Sequence, residues 1–357
     1  MFLEIETYFK LYHIEMKACV IGASGYTGRE LVKLLLAHPK VELSVITSRS
    51  LAGKPVEKVI PQVTGIANGL LFSNPSVEEL CGQQDLDIFF LALPHGTAAS
   101  YAIALLAADK KVIDLSADFR LNSAETYKEF YGEEHPAKEL LQKAQYGLPE
   151  LESPSWEKSK LIASPGCYPT SILVPLAPLL KNNLISASDI VVNSMSGISG
   201  AGRNASEKLL YCERNENASA YGLPKHRHLS EIEEQLSLFA HKEVVISFHP
   251  HLAPMNRGIC TTISIPANEN TETSIIYEAW NESYGNCPFV NILPTGTFPE
   301  VAHVVGSNRV DISAHFDSRT KRLVICSTED NLIKGAGGQA IQSMNICEGF
   351  DETTGLL

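Results

Sequence analysis

One cysteine of this chain stands at a corner rather than in a core. "IASPGCYPTSILVPL" (162–176) sets Cys167 between Pro-Gly and Tyr-Pro, residues that turn a backbone. "KLIAS" (160–164) reads as a strand ended by Pro165-Gly166, and Pro169 suits the first turn of a helix, where its missing N–H costs nothing. Cys167 is therefore expected at a helix N-terminus facing a cleft. There the helix dipole and a nearby cation lower a thiol's pKa from about 8.5 and make it a nucleophile. Pro175 and Pro178 are expected to shorten or kink that helix. An acid/base partner is offered by "YGLPKHRHLSEIEEQL" (221–236), where His226 and His228 flank an arginine just before an amphipathic helix. His228 is favoured as the acid/base, and His226 as its alternate or as a substrate ligand.

A phosphate cradle lies near the start. "GASGYTG" places Gly22, Gly25 and Gly28 at GxxGxxG spacing, after an apolar strand and opening a helix. Glycines let the backbone approach a pyrophosphate, and the helix N-terminus supplies free N–H donors. Ser24, Tyr26 and Thr27 belong to the same loop, Thr27 with a hydroxyl to add. The next strand decides the nucleotide. An NAD site carries Asp or Glu about 20 residues after the glycines; here stand Thr47, Ser48, Arg49 and Ser50. Ser48 and Arg49 suit a 2′-phosphate, so NADP(H) is the expected cofactor. Pro94 and His95 close an apolar strand at its C-terminal end, where open sheets bind ligands, and His95 is expected to line the cofactor pocket. Gly200 and Gly202 in "SGISGAGR" (196–203) are expected to approach the nicotinamide. Arg120 and Arg257 are candidates for a substrate phosphate or carboxylate, with Tyr168 beside the thiol in the same pocket.

The elements that must position these groups follow from periodicity. Strands at 17–21, 41–49, 87–94 and 111–120 alternate with helical stretches, the first at 27–38, up to about residue 165. That pattern implies a Rossmann-like, doubly wound α/β domain with a parallel sheet. After Cys167 the strand candidates 190–195, 244–249, 258–265, 309–316 and 322–327 come with few helices, one at 271–285. They imply an α+β catalytic domain with a mixed, mainly antiparallel sheet. From Asn331 a glycine corner leads into a helix that returns to the first domain. The expected division is 16–166 plus 331–357 for the cofactor and 167–330 for catalysis and oligomerisation. Residues 1–15 form an extension before Met16.

The 357 residues carry a net charge of −12 and no Lys/Arg run, which argues against nucleic acid and anionic membranes as partners. A local basic pocket for a small anion remains open. None of the eight cysteines has zinc-ligand spacing, so no metal is expected. They read as free core thiols of a reducing cytoplasm. No run of about 18 apolar residues predicts a membrane span, and the first fifteen residues lack the marks of a signal peptide.

"GASGYTG", "ALPHG" (92–96), "DLSADFR" (114–120), "YGLPE" (146–150), "SPGCYPT" (164–170), "SGAGR" (199–203), "KHRH" (225–228), "PHLAPMNRGI" (250–259) and "DNLIKGAGGQA" (330–340) carry a resemblance. From Met16 to about Gly349 the chain resembles the N-acetyl-gamma-glutamyl-phosphate reductases, in the semialdehyde dehydrogenase group of the glyceraldehyde-3-phosphate dehydrogenase-like fold. "SPGCYPT" with "HRH" is specific, whereas "GASGYTG" is shared by many reductases. Where the family usually has proline after the histidine motif, Ser230 stands here. The resemblance implies a reductive dephosphorylation in arginine biosynthesis: NADPH and an acyl phosphate give a semialdehyde, NADP and phosphate, through a Cys167 thioester. It also implies that Asn331 and Gly335 complete the cofactor pocket, and that the chain forms a dimer or tetramer. Aspartate-semialdehyde dehydrogenase and the reductase of a carrier-linked aminoadipyl phosphate are the enzyme alternatives. A dinucleotide sensor is the non-enzyme one, and it would need neither Cys167 nor the histidines.

Overall fold

Fourteen strands in two sheets set the architecture of the computed structural model, which describes residues 14–151, 156–267 and 272–357. The expected extension over 1–15 falls, up to His13, outside the described residues. The first sheet contains β1 (Met16–Ile21), β2 (Val41–Thr47), β3 (Phe72–Ser73), β4 (Ile88–Leu91), β5 (Lys111–Asp114), β6 (Gln145–Tyr146) and β7 (Leu161–Ala163). Its order is β3-β2-β1-β4-β5-β7-β6, and every pairing is parallel. A parallel sheet is covered on both faces, which is why β4, "IFFL", is buried throughout.

The second sheet holds β8 (Ile190–Ser196), β9 (Ser219–Ala220), β10 (Ile246–Leu252), β11 (Ile259–Pro266), β12 (Val290–Ile292), β13 (Val310–Asp317) and β14 (Arg322–Glu329). It is mixed, in the order β12-β13-β14-β11-β8-β10-β9, with β8–β10 and β12–β13 parallel. Six helices of ten residues or more are present among the described residues: α1 (Tyr26–Ala37), α2 (Ala98–Ala107), α3 (Cys167–Lys181), α4 (His228–Ala240), α5 (Thr273–Tyr284) and α6 (Gly338–Cys347). α3, α4 and α5 pack their apolar residues on one face of the mixed sheet. α6 lies with α1 in the core of the parallel sheet, through Ala340, Ile341 and Met344 against Leu31, Val32 and Leu35. The C-terminal helix thus closes the first layer after the chain has built the second.

Two sequence expectations change here. The strand expected over 111–120 ends at Asp114. Beyond it, "LSADFR" forms a buried polar knot: Asp118 accepts from the N–H groups of Gly96 and Ala99 and from the Tyr127 hydroxyl. That ties the start of α2 to the end of β5. Pro175 and Pro178 do not shorten α3, which runs fifteen residues through both. Each proline removes the N–H that would reach the carbonyl four residues back, Ser171 and Val174. The structure supplies substitutes: Ser327 Oγ donates to Ser171 O at 2.6 Å and Tyr284 Oη to Val174 O at 2.6 Å. Tyr284→Phe should therefore leave a buried carbonyl unpaired and cost about 1–3 kcal/mol, read as a lower urea midpoint with nicotinamide binding kept.

Candidate active site

Cys167 is the first residue of α3, with Gly166 as its N-cap. Glycine is needed there: a Cβ on Gly166 would lie 2.7 Å from His228 Nε2 and 2.9 Å from Arg120 Nη1. The missing side chain lets an imidazole and a guanidinium close over the start of the helix. Gly335 answers the same need from the other side, since its Cβ would lie 2.7 Å from that of Cys167 and 2.8 Å from Glu329 Oε1. The corner is fixed by Glu231, which lies one turn after His228 on α4. Its Oε1 accepts from Gly166 N–H at 2.9 Å and from the Tyr146 hydroxyl at 2.7 Å, and its Oε2 from Arg120 Nη1 at 3.3 Å.

The thiol is not an acidic one. Burial pushes Cys167 up to about 12, the Glu329 carboxyl adds to this, and Arg120 opposes it. This corrects the expectation of a lowered pKa: the helix start and one cation are outweighed by desolvation. Burial, with the neighbouring cations and His226, holds His228 well below the usual imidazole range. The resting pair is accordingly a thiol and a neutral imidazole. The structure separates the two histidines. His226 Nδ1 accepts from the His228 backbone N–H at 3.1 Å, and its ring meets Tyr168 and Tyr221 edge-on. Burial and Arg227 lower it to about 4.

Two cavities meet at this corner. The first, ≈ 630 Å³, is lined by Tyr168, His226, Lys208, Arg214 and Arg227 among others. The second, ≈ 740 Å³, runs along the C-terminal edge of the parallel sheet over α1. Among the described residues, Cys167, His228 and Gly200 alone line both. Every cofactor residue expected from the sequence lines the second cavity except His95. His95 instead lines the first, with Arg227 Nη1 at 3.0 Å from its Nδ1. The side chain following Pro94 turns away from the nucleotide groove.

The two substrate arginines stand differently, and one of them is corrected. Arg257 lines neither cavity; it pairs with Glu30 of α1 at 3.1 Å and Asp330 at 3.0 Å, holding the two layers together. Arg120 is buried, and its donors go to Ser164 O, Leu115 O and Glu231. It lines the second cavity beside Cys167, with these bonds holding the corner. Of the cysteines, only Cys19 and Cys347 are buried, and Cys212 is exposed, so most are not core thiols.

The second cavity fits a dinucleotide. Gly22 and Gly28 are dictated by packing, since their Cβ atoms would lie 2.4 Å from Ala92 O and 2.5 Å from Gly22 O. Gly25 is not: its φ is −71° and a Cβ would meet nothing closer than 3.9 Å. That glycine leaves room above the first turn of α1, which has no side-chain cap on its N–H groups. No carboxylate stands at the end of β2, where Ser48 is buried and Arg49 exposed.

The parallel sheet and the mixed sheet, with Cys167 and His228 lining both cavities, match the two domains of the semialdehyde dehydrogenases. Family models agree on both parts: "Semialdehyde dehydrogenase, NAD binding domain" matches residues 17–159 and "Semialdehyde dehydrogenase, dimerisation domain" matches 167–331. The chain belongs to the N-acetyl-gamma-glutamyl-phosphate reductase family and is an oxidoreductase. It is 48% identical to the protein of that name from Akkermansia muciniphila, over 96% of this chain and 99% of the relative. It is also 48% identical to the one from Desulfotalea psychrophila, over 96% and 98%. Solved structures share the fold at low identity. Aspartate semialdehyde dehydrogenase II from Vibrio cholerae superposes with a TM-score of 0.69 at 14% identity, covering 94% of this chain and 98% of that one. The Candida albicans aspartate semialdehyde dehydrogenase, solved with NADP, gives 0.63 at 17%, covering 93% and 98%. Among the described residues no helix is long and apolar enough to cross a membrane.

Proposed function

We propose that the chain reduces N-acetyl-gamma-glutamyl phosphate to N-acetylglutamate semialdehyde with NADPH, releasing phosphate, in cytoplasmic arginine biosynthesis as a homo-oligomer. The observation that carries this is the sharing of Cys167 and His228 by the two cavities: one side receives the acyl group, the other the nicotinamide. As the substrate's acyl carbon reaches the sulfur, His228 takes the thiol proton and the S–C bond forms. The bond from acyl carbon to phosphate oxygen breaks, and phosphate leaves with that electron pair. NADPH bound in the second cavity would supply the hydride. His228, now protonated, gives its proton to the oxyanion on the Cys167 adduct. It recovers that proton as the C–S bond breaks to free the aldehyde, and returns it to the sulfur. Tyr146, Arg120 and Glu231 keep the corner in place throughout, each held by the hydrogen bonds described above.

The preference for NADP(H) rests on charge. All ten arginines of the chain lie in the described residues, and Arg120, Arg257, Arg309, Arg319 and Arg322 pair with carboxylates. Among the described residues Arg29, Arg49 and Arg203 do not, and Arg49 and Arg203 line the nucleotide cavity. Arg203 Nη1 also reaches Ser24 O at 3.3 Å. Uncompensated guanidinium groups suit an extra phosphate. Arg49→Ala should raise the KM for NADPH about 10- to 100-fold and leave NADH nearly unchanged; equal changes would refute the 2′-phosphate assignment. The reaction itself is tested in reverse, with phosphate, comparing acetylglutamate semialdehyde with aspartate semialdehyde and NADP with NAD. A preference for the aspartate aldehyde would overturn it.

A further inference from the structure

Two arginines without carboxylate partners among the described residues remain, and both line the first cavity. Arg227 is exposed, sits between the two histidines in sequence, and has its Nη1 on His95. Arg214 is half-buried in the same lining and bonds to the short strand β9. Its Nη1 donates to Ser219 Oγ at 3.0 Å, while its buried Nε has no hydrogen-bond partner among the described residues. Lys208 is the third cation of this lining, exposed on a single turn of 3-10 helix. Among the described residues no Asp or Glu lines the cavity. A pocket in a chain of net charge −12 that gathers three cations and no acid is built for an anion with more than one charged group.

We infer that Arg214 is the receptor for the α-carboxylate of the acyl substrate, and the residue that selects a carboxylated chain over one lacking that group. This rests on the acyl-phosphate reading above. The acyl phosphate has two anionic ends. The phosphoryl end must reach Cys167 and His228, and the cation adjoining His228 in the chain is Arg227. Residues 206–221, which carry Arg214, line only the first cavity and contribute nothing to the nucleotide side. The far charge of the substrate therefore falls to that wall. Of its two cations, Arg214 has the planar fork that matches a carboxylate in two bonds, and Ser219 already orients it. An exposed lysine has neither advantage.

The test compares two aldehydes in the reverse reaction with NADP and phosphate: N-acetylglutamate semialdehyde and 4-acetamidobutanal, which differ only by the carboxylate. A site built to bond a charged group rejects the analogue without it, so the wild-type preference in kcat/KM should be at least about 100-fold. Arg214→Met should reduce that preference to about fivefold or less, through the KM of the carboxylated aldehyde, with 4-acetamidobutanal turned over as before. Arg214→Lys should restore part of it, and NADP binding by both variants checks that they fold. Survival of the preference in Arg214→Met overturns the inference. So does an equal loss on both aldehydes, or a preference abolished by Arg227→Met and kept by Arg214→Met. A wild-type enzyme that oxidises neither aldehyde overturns the proposed reaction, and the receptor with it.

Discussion

Cys167→Ser should bind NADPH as the wild type does and reduce the acyl phosphate at least about 10⁴-fold more slowly. The size of the effect follows from the resting state. In the proposed route a thiol pushed up to about 12 already depends on His228 to remove its proton. A serine hydroxyl is less acidic still and a weaker nucleophile, and it inherits the same neutral imidazole. The wild-type enzyme mixed with acyl phosphate and no nucleotide should release one equivalent of phosphate and gain the acyl mass on the peptide containing Cys167. Cys167→Ser should do neither. Retained turnover in that variant, or phosphate release without acylation, would remove the thioester route. The free enzyme offers a companion measurement. Its alkylation by iodoacetamide should be slow at neutral pH and climb about tenfold per pH unit without levelling near pH 8, because burial and Glu329 oppose ionisation.

Local grammar made much of this site readable. A glycine-spaced loop between an apolar strand and a helix places the nucleotide groove, since the turn, the strand and the helix start are all short-range features. Pro-Gly before Cys167 places the thiol at the start of α3 for the same reason. What stayed hidden depends on partners far away in sequence. Arg257 and Glu30 are 227 residues apart, and Arg120 and Glu231 are 111 apart. Nothing local tells a paired arginine from a free one. The rule that prolines break helices failed at α3 because Ser327 and Tyr284 replace the lost donors from other elements. The thiol's acidity departs from the sequence expectation for a related reason. A helix terminus is worth about 0.3–1 kcal/mol near the surface, whereas full burial moves a pKa by several units. The sequence displays the first influence and conceals the second. Glu231 was within reach, three residues after His228 on one helical face, but a glutamate at that spacing also suits a solvated helix. His95 lines the other cavity because a strand end offers successive residues to different cavities, and only the tertiary arrangement says which.

His228→Asn should lower kcat by about 10²- to 10⁴-fold while leaving nicotinamide binding intact. The pH profile distinguishes this from a structural lesion. In the proposed mechanism His228 works as a base when neutral, so activity is present above its pKa and is lost as pH falls through it. Burial and the surrounding cations hold that pKa well below 6.5. The wild-type kcat/KM should therefore stay level from neutral pH past 6.5 and decline only in more acidic solution. Without the imidazole that acid limb should disappear, and activity should instead rise with pH as hydroxide deprotonates the sulfur directly. His226→Asn should behave differently: its Nδ1 accepts the His228 backbone N–H, so its loss should weaken the helix start and lower activity without moving the limb. If His226→Asn erased the limb and His228→Asn kept it, the roles would be exchanged. The geometry favours His228, because a proton carrier must face both the acyl group and the nicotinamide, and of the two rings only that of His228 lines both cavities.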